Sequence, residues 1–506
     1  MNVRFKLFSV LLLALGLGVA VSQSPGPTGK LVIAQTQDPH SWDPIDTFLV
    51  AWGTVAHNIY DGLIIRDADL KLRPGLATAW KYVNPTTLRF TLRQGVKFHD
   101  GEPFNAQAVK FTFDRLLGAE GKKGPQQANY SAIKSVKVIN ATTVDFMLSS
   151  PDPVLLTKLS GYGAMIVPPK YIREKGDAYF DSHPVGTGPF KLVSYASAQD
   201  LKLTAFLGYW GGAPKLSNLT FRFIEEPATR VAELQAGRVD IATAIPVAQA
   251  ATIKGDGKLT LQAISSPTVQ ALRLNFSHTP TNDLRVRQAL NYAVDKDAII
   301  KSILQGYASP ISSLQSSKSF GYDPALKSYP YDPVKARELL AAAGVKSGTS
   351  VGIDFIGTDA VFREVAQAIA GFFQAVGLKA DLKTYETNTF YSDIIPKNKT
   401  SNGYQMGWGG WTFDFDNTAY LLYHSKQFWN PDFVDKKLDA LLESQHNLAD
   451  QKRRLMILRT IAQYTHDQAI DIPLYNQQDL WGVSRRVQGF TAPSDSLLHL
   501  QTVSVK

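Results

Sequence analysis

Two tryptophans and two aspartates lie close together in the segment Met406-Gly-Trp-Gly-Gly-Trp-Thr-Phe-Asp-Phe-Asp-Asn417. Trp408 and Trp411 could stack on a sugar ring, an aromatic side chain or a cationic group. Asp414 and Asp416 could bind a buried cation or, on one face of a strand, supply the two carboxylates of a sugar hydrolase. The alternative is structural: the aspartates cap the following helix and the tryptophans pack in a core. We expect all four residues at a substrate-binding site.

A second group of polar and aromatic side chains follows the first predicted strand, Leu31–Gln37. Gln37, His40 and Trp42 lie at or just beyond the end of this strand. Ligands of open α/β sheets bind in the crevice at strand ends. We therefore include these three residues in the predicted binding site, with ordinary loop surface as the alternative.

The sequence offers little support for a catalyst. The nine histidines show no metal-binding spacing, and neither a Gly-x-Ser-x-Gly segment nor a phosphate-binding loop is present. The absence of cysteine excludes disulfides, thiolate metal sites and a lipid attached through an N-terminal cysteine. We expect a binding protein with no cofactor and no metal, and not an enzyme.

Length and composition predict a secreted protein with more than one folding unit. The 506 residues exceed one ordinary core, and no block of lysines and arginines of the nucleic-acid-binding type occurs despite the net charge of +9. Arg4 and Lys6 precede 15 uncharged, apolar residues, Leu7–Val21, which would span about 22 Å as a helix. This length is typical of a signal peptide, residues 1–22, cleaved after Ser22. An uncleaved membrane helix is the alternative.

Hydrophobic periodicity predicts alternating strands and helices. Residues 90–117 predict a strand, a turn at Asp100-Gly101 and a helix with Asn105 as its N-cap. Val286–Val294 and Phe362–Val376 carry apolar residues at helical spacing, which indicates helices that face a core. Because helices and strands alternate, the predicted fold class is α/β, with mixed sheets covered by helices.

Several short segments along the chain are similar in sequence to known motifs. In chain order they are Tyr60-Asp-Gly-Leu63, Pro74-Gly-Leu-Ala-Thr-Ala-Trp80, Phe90-Thr-Leu-Arg-Gln-Gly-Val-Lys-Phe-His-Asp-Gly101, Gly186-Thr-Gly-Pro-Phe190, Arg285-Val-Arg-Gln-Ala-Leu-Asn-Tyr-Ala-Val-Asp295, Ile472-Pro-Leu-Tyr475 and Val487-Gln-Gly-Phe490. In wording and order they resemble the motifs of extracytoplasmic solute-binding protein family 5, the peptide- and nickel-binding proteins that serve ABC importers. The resemblance covers nearly the whole chain after the signal peptide.

The resemblance implies a two-lobe periplasmic-binding-protein fold of type II, with a two-stranded hinge and a subdomain inserted in lobe I. On this chain it implies that lobe I comprises residues 29–60, 184–278 and 480–506. The inserted subdomain would be residues 61–183, and lobe II residues 279–479. Such lobes close around a ligand by hinge motion. Most of the motifs themselves are expected to be structural.

One departure from the family bears on the ligand. In peptide-binding relatives an aspartate three residues after the strand tryptophan pairs with the free amine of the ligand, and here Trp411 occupies that position. Either Asp414 or another acid takes over this role, or the ligand lacks a peptide-type amine. The resemblance also places Tyr307, at the start of a loop over residues 307–313, in the cleft.

The resemblance therefore implies the substrate-binding component of an ABC importer. We expect it to capture a peptide or a similar small polar solute between its lobes and to deliver it to the membrane permease. Its partners would be the ligand, the permease and the ATPase subunits, with no nucleic acid, and the protein would be a periplasmic monomer. An oligosaccharide, an opine or a nickel chelate is the alternative ligand, and a periplasmic chaperone or hydrolase is a remote alternative function.

Overall fold

The described part of the chain comprises residues 26–425 and 427–506 of a computed structural model. The predicted signal peptide, residues 1–22, lies outside the described residues. Within these two ranges no helix combines the length and the apolar character needed to cross a lipid bilayer.

Residues 26–180 begin with one strand of a large sheet and a helix, and they continue into a smaller, separate sheet. The elements in chain order are β1 (Lys30–Gln35), α1 (Val50–Ile59), β2 (Ile64–Arg66), β3 (Leu72–Pro74), β4 (Ala77–Asn84), β5 (Thr87–Leu92), α2 (Ala106–Leu117), β6 (Ile133–Asn140), β7 (Thr143–Leu148), α3 (Leu155–Lys158), α4 (Pro169–Lys175) and α5 (Asp177–Phe180). Strands β4, β5, β7 and β6 pair in that order as an antiparallel sheet. The buried face of α2 packs on this sheet through Val109 and Phe113. We call this unit the inserted subdomain.

The remainder of the chain alternates strands and helices. The elements up to the middle of the chain are β8 (Phe190–Ala196), β9 (Asp200–Ala205), β10 (Asn218–Phe223), α6 (Pro227–Gln235), β11 (Ile241–Ala242), α7 (Ala250–Gly255) and β12 (Leu259–Leu274). They are followed by α8 (Leu284–Ala293), α9 (Lys296–Ser302), β13 (Ala308–Pro310), α10 (Pro333–Ala342), β14 (Ser350–Ile356), α11 (Ala360–Ala375), β15 (Lys379–Tyr385), α12 (Thr387–Thr389), β16 (Gly403–Gly409), α13 (Phe415–Tyr423), α14 (Lys436–His446), α15 (Gln451–Asp467), β17 (Asp471–Ser484), β18 (Val487–Gln488) and β19 (Ser504–Val505).

One long mixed sheet runs through both halves of the molecule in the strand order β15-β14-β16-β12-β17-β11-β1-β10-β9-β8, with β13 paired to β17. Strands β11, β1, β10, β9 and β8 form the sheet of lobe I, with a core that includes Trp52 and Phe190. Strands β15, β14 and β16 form the sheet of lobe II, whose core includes Leu290 and Phe373. The predicted fold class, two lobes with mixed sheets covered by helices, is confirmed.

The antiparallel pair β12–β17 connects the lobes and has a break at its centre. Ser265 pairs with Gln478 and Val269 with Asn476, so three residues of β12 stand opposite one residue of β17. The Asn476 side-chain amide donates to the carbonyls of Ser266 at 3.0 Å and of Thr268 at 2.8 Å, which satisfies backbone acceptors that the bulge leaves free. This bulge bends the connection between the lobes.

Several local predictions are confirmed by capping and packing. Asn105 caps α2, because its side-chain oxygen accepts from the backbone amide of Gln107 at 2.8 Å. The apolar stripe predicted for α8 is buried, and that of α11 is buried except at Phe362 and Phe372, which are partly exposed. Gly377 follows α11 with a φ of +91°, a conformation that favours glycine.

Two of the sequence motifs meet where the chain returns from the inserted subdomain to lobe I. His99 donates its backbone amide to Gly186 O at 2.9 Å, and its Nε2 lies 2.9 Å from Gly188 O. His99 Nδ1 accepts from the Gly186 amide at 3.3 Å, so Nε2 carries the proton of the neutral ring. An added Cβ at Gly186 would lie 2.1 Å from Ile59 O, which explains the glycine. The motifs have the structural role that was expected.

His99 should make the stability of the protein depend on pH. Burial lowers the pKa of His99 to about 4, below its unfolded value of about 6.5. The folded state therefore favours the neutral ring, and its contribution is complete above pH ~6.5 and lost as pH falls toward 4. A His99→Gln variant should be about 1–3 kcal/mol less stable than the parent at pH 7.5, measured by urea unfolding.

The difference in unfolding free energy between parent and His99→Gln should shrink between pH 6.5 and 4.5. A His40→Gln variant is the matched control, because the His40 side chain is 75% exposed. It should show no such convergence. A constant difference for His99→Gln over this range would contradict the assignment of a neutral, buried ring.

Candidate binding cavity between the lobes

A cavity of about 500 Å³ lies between the lobes, directly beside the bulge in β12. Its walls come from five parts of the chain: the start of α1, the inserted subdomain, the hinge strands, β16 with the segment that follows it, and the C-terminal residues 495–497. This volume lies within the range of about 300–1,000 Å³ that is usual for small-molecule sites. The cavity is therefore large enough for a small solute that contacts both lobes.

Aromatic rings form opposite walls of the cavity. Phe48 and Tyr162 line it from the side of lobe I and the inserted subdomain, and Trp408, Trp411 and Trp429 line it from lobe II. The Trp408 and Trp429 rings meet edge to face, with centroids 5.9 Å apart. Such walls suit an aromatic, alicyclic or cationic group of a ligand.

Trp411 reaches across the cleft. Its ring centroid lies 5.9 Å from that of Phe48, and its carbonyl accepts from Arg66 Nη1 at 3.2 Å. The edge of the ring also lies against Gly161, where an added Cβ would be 2.8 Å from Cζ3 of Trp411. These contacts join lobe II to lobe I and to the inserted subdomain, so the structure has a closed cleft.

Arg66 is a buried cation in the cavity wall that makes three hydrogen bonds within the protein and faces an anionic partner. Its guanidinium lies 3.8 Å from the Asp495 carboxylate and donates to Thr157 O and Ser160 Oγ at 3.4 Å each, in addition to Trp411 O. Burial lowers the pKa of Arg66, and Asp495 opposes this shift. Arg66 therefore holds the closed cleft together as part of an ion pair.

Asp479 is the third charged residue of the lining, and it differs from the other two. It lies on β17 opposite Ile264. Within residues 26–425 and 427–506 its carboxylate has neither a hydrogen-bond donor nor a cationic partner. Burial alone raises the pKa of Asp479 to about 6.

The structure brings two of the eight predicted site residues, Trp408 and Trp411, to the cavity. Gln37 and His40 lie outside its lining, and the His40 side chain is 75% exposed next to Asp38. Tyr307 also lies outside the lining; Lys254 Nζ sits 5.0 Å from its ring centroid. The direct contact of Trp408 and Trp411 with a ligand stays a prediction.

Trp42 requires a correction. Its side chain is fully buried in the core of lobe I, where its ring stacks on Phe223 with centroids 6.3 Å apart and meets Tyr195 edge to face at 5.8 Å. A ring this size buries much apolar surface, and packing outweighs its position at a strand end. Trp42 is therefore a core residue and does not line the cavity.

Asp414 and Asp416 also require a correction, because both are buried beneath the cavity wall. Asp414 caps α13 by accepting from the Asp416 amide at 3.0 Å, and its carboxylate receives two hydrogen bonds from Arg454, at 2.8 and 2.5 Å. Asp416 accepts from Gln445 and from His446 Nδ1, the latter at 3.1 Å. The structural alternative is the one observed.

These partners explain the pKa shifts of the two aspartates. Burial raises the pKa of Asp414, although Arg454 opposes the shift. Burial also acts to raise the pKa of Asp416, but the hydrogen bonds from His446 and Gln445 outweigh it and the pKa is lowered. Both side chains are enclosed among partners of the protein itself and position the segment that carries Trp411.

Sequence reasoning missed most of the lining. Phe48, Arg66, Tyr162, Asp479 and Asp495 belong to no motif with a chemical signature. Arg66 follows the Tyr60–Leu63 motif by three residues, and this proximity is the only signal that the sequence carried. Which face of β17 points into a cleft is set by its pairing with β12, and the sequence does not display that pairing.

One group of carboxylates in the described ranges has the spacing of a metal site. Oxygens of Asp43, Asp46 and Asp181 lie within 4.8 Å of one another. Arg115 Nη1 donates to Asp43 at 2.9 Å and already offsets part of this negative charge. The group lies away from the cavity lining, so nothing links it to the binding site.

Two lobes, a bulged two-stranded connection and an interlobe cavity define the class of solute-binding proteins that close on a ligand. Residues 71–430 match the model of the bacterial extracellular solute-binding proteins, family 5 (middle region). This match covers well over half of the chain. The protein belongs to this family, as the motifs predicted.

Individual relatives resemble the chain over nearly its full length. The glutathione-binding protein GsiB of Salmonella typhi is 29% identical over 497 residues, which cover 96% of each protein. The solved structure of HbpA2 from Haemophilus parasuis has a TM-score of 0.85 at 25% identity and covers 94% of this chain and 100% of that one. NikZ from Campylobacter jejuni, solved in complex with Ni(L-His), has a TM-score of 0.78 at 25% identity. The match covers 94% of this chain and 98% of NikZ.

The Asp414–Arg454 pair gives a test of the corrected role of Asp414. An Asp414→Asn variant keeps an oxygen that can cap α13 but leaves Arg454, which is fully buried, without its anionic partner. We expect a loss of about 3–5 kcal/mol in the free energy of unfolding, measured by denaturant titration.

The double variant Asp414→Asn/Arg454→Met removes the uncompensated charge and should recover much of this loss. Ligand selectivity of the folded variants should match the parent. Weaker ligand binding by Asp414→Asn with unchanged stability would restore Asp414 as a ligand-contacting residue.

Proposed function

We propose that the protein captures a short peptide, or a peptide-like polar solute, for an ABC importer by enclosing it between the lobes. The observation that carries this proposal is the cavity of about 500 Å³ whose lining comes from both lobes and from the hinge strands. Membership of a solute-binding family and the resemblance to a glutathione-binding relative support a peptide ligand. Glutathione is itself a tripeptide, so this ligand class fits the cavity volume.

The mechanism follows from the contacts that the ligand would make. A solute seated against Tyr162 on one side and Trp408 on the other interacts with both lobes only when the cleft is closed. It therefore favours the closed state, which the permease and its ATPase subunits would recognise. The bulge at Pro267 is the bend about which the lobes would move.

The remaining parts of the proposal concern the state of the protein in the cell. We infer a monomer in the periplasm, released after residue 22 and not held by a cysteine-linked lipid, which binds its solute without chemical change. The lobe boundaries proposed from the resemblance stay at residues 278/279 and 479/480. An oligosaccharide is the second candidate ligand, because three tryptophans in one cavity could stack on sugar rings.

Ligand class can be tested by thermal shift with the chain from residue 23 onward. A pool of tripeptides with free amino termini should raise the melting temperature, since a ligand at one hundred times its Kd stabilises the folded state by about 2.7 kcal/mol. The radius of gyration from X-ray scattering should fall in the same samples. A shift with oligosaccharides and none with peptides would make the saccharide the ligand, and turnover of any probe would end the proposal of a non-catalytic protein.

Cleft closure can be tested at Gly161. The backbone of Gly161 does not adopt a positive φ, so a side chain is tolerated there, but its Cβ would lie 2.8 Å from the Trp411 ring in the closed cleft. A Gly161→Leu variant should remain folded, should stay open in scattering experiments and should bind the tripeptide pool at least ~10-fold more weakly, a cost of about 1.4 kcal/mol.

Gly255→Leu is the matched control, because an added Cβ at this exposed glycine meets nothing within 4 Å. It should bind as the parent does. Parent-like affinity and ligand-induced compaction of Gly161→Leu would show that solute capture does not need the closed contact of Trp411 with the inserted subdomain.

A further inference from the structure

The charges that line the cavity do not balance. Its charged residues, among those the structure describes, are Arg66, Asp479 and Asp495. Arg66 and Asp495 face each other at 3.8 Å and offset one another. The excess is one negative charge, and it lies on Asp479.

Asp479 has the surroundings of a ligand-binding group and not of a structural carboxylate. Successive residues of a strand point to opposite faces, so Asp479 shares a face of β17 with Gln477 and Trp481. Gln477 accepts from Gln270 Nε2 at 3.4 Å, and Trp481 is buried in the lobe I core. Asp479, between them, faces the cavity with no donor from the described residues.

The free-energy cost of leaving the Asp479 carboxylate unpaired must be offset by a partner. Asp479 is partly buried, and a carboxylate withdrawn from water without a hydrogen bond or a counter-charge destabilises the structure until a cation pairs with it. Asp414, by contrast, receives two hydrogen bonds from Arg454. The burial that raises the pKa of Asp479 to about 6 still leaves it ionised at neutral pH.

We propose that Asp479 binds a cationic group of the solute, an ammonium or a guanidinium, between the aromatic walls of the cavity. The rings of Trp408 and Trp411 line the same cavity and add cation–π attraction to the charge pair. Arg66 is a poor competitor for an anionic group, because Asp495 offsets its charge and three of its five donors already bond to Trp411, Thr157 and Ser160. This inference rests on the proposed capture of a solute and narrows it to ligands that carry a positive charge.

The experiment compares the parent with Asp479→Asn at pH 7.5 by calorimetric titration. The probes are the tripeptide pool with free amino termini, the same pool N-acetylated, agmatine, and maltotriose as an uncharged solute. We expect the parent to bind the free-amine pool or agmatine at least ~10-fold more tightly than the N-acetylated pool. Asp479→Asn should lose about 10- to 100-fold in affinity for the cationic probe, the range of a hydrogen bond to a charged group.

Two further measurements distinguish ligand binding from a structural role. Because Asp479→Asn removes an uncompensated, partly buried charge, it should raise the melting temperature of the ligand-free protein, whereas loss of a structural carboxylate lowers it. Asp479→Glu keeps the charge and should retain part of the affinity. Asp69→Asn is the matched control, because the Asp69 side chain is 78% exposed and lies outside the cavity lining.

Each outcome decides between the two proposals. Binding of agmatine through Asp479 without peptide binding would remove the peptide assignment and keep the role of Asp479. Equal affinity for free and N-acetylated peptides, or parent-like affinity of Asp479→Asn, would overturn the role of Asp479 and keep peptide capture. The role of Asp479 would also be overturned if only maltotriose bound, or if no cationic probe bound.

Discussion

The pairing of β12 with β17 is the constraint on which the rest of the structure depends. These two strands carry the sheet from one lobe to the other, and the bulge between Ser265 and Val269 is the point at which their ladder is interrupted. Asn476 satisfies the carbonyls that the interruption exposes, so the bend is a defined feature with its own hydrogen bonds. Because the same strands also supply Pro267, Thr268 and Asp479 to the cavity, hinge and binding site are one piece of backbone. A ligand bound there would therefore act directly on the angle between the lobes.

The carboxylates near the cavity are of two kinds: those that pair with a cationic side chain of the protein, and one that does not. Asp414 and Asp416 are enclosed with Arg454 and His446, and they fix the segment after β16 so that Trp411 can reach the opposite lobe. Removing a partner from such a pair costs more than the pair contributes, which makes these residues structural. Asp479 is only partly buried, unlike Asp414 and Asp416, but it is unpaired within the described residues, and desolvation dominates its pKa. Its missing partner is the reason to assign it to the ligand.

The sequence was sufficient for the family, the fold class and many elements, and insufficient for most of the site. Periodicity and capping are local, so α2 with Asn105 and the stripe of α11 could be predicted. Trp408 and Trp411 were predicted because tryptophan can stack on a ligand and their segment resembles the ligand-contacting segment of relatives, but Trp42 has the same residue type and is core. The partner of Asp414 lies forty residues away in α15, and the face of Asp479 depends on a strand more than two hundred residues earlier. Such long-range pairings leave no trace in one sequence.

The unpaired Asp479 also offers a reason why closure of the cleft would depend on a bound ligand. The cleft already gains the contacts of Trp411 with Phe48 and Arg66 when it closes, and these contacts need no solute. If nothing opposed them, the empty protein would close and the permease could not distinguish it from the loaded one. Closing the empty cleft would withdraw part of the Asp479 side chain from water without a counter-ion, a cost that falls on the unloaded state alone. A bound cation removes that cost, and a difference of a few kcal/mol between the two states is sufficient to move most of the population from open to closed.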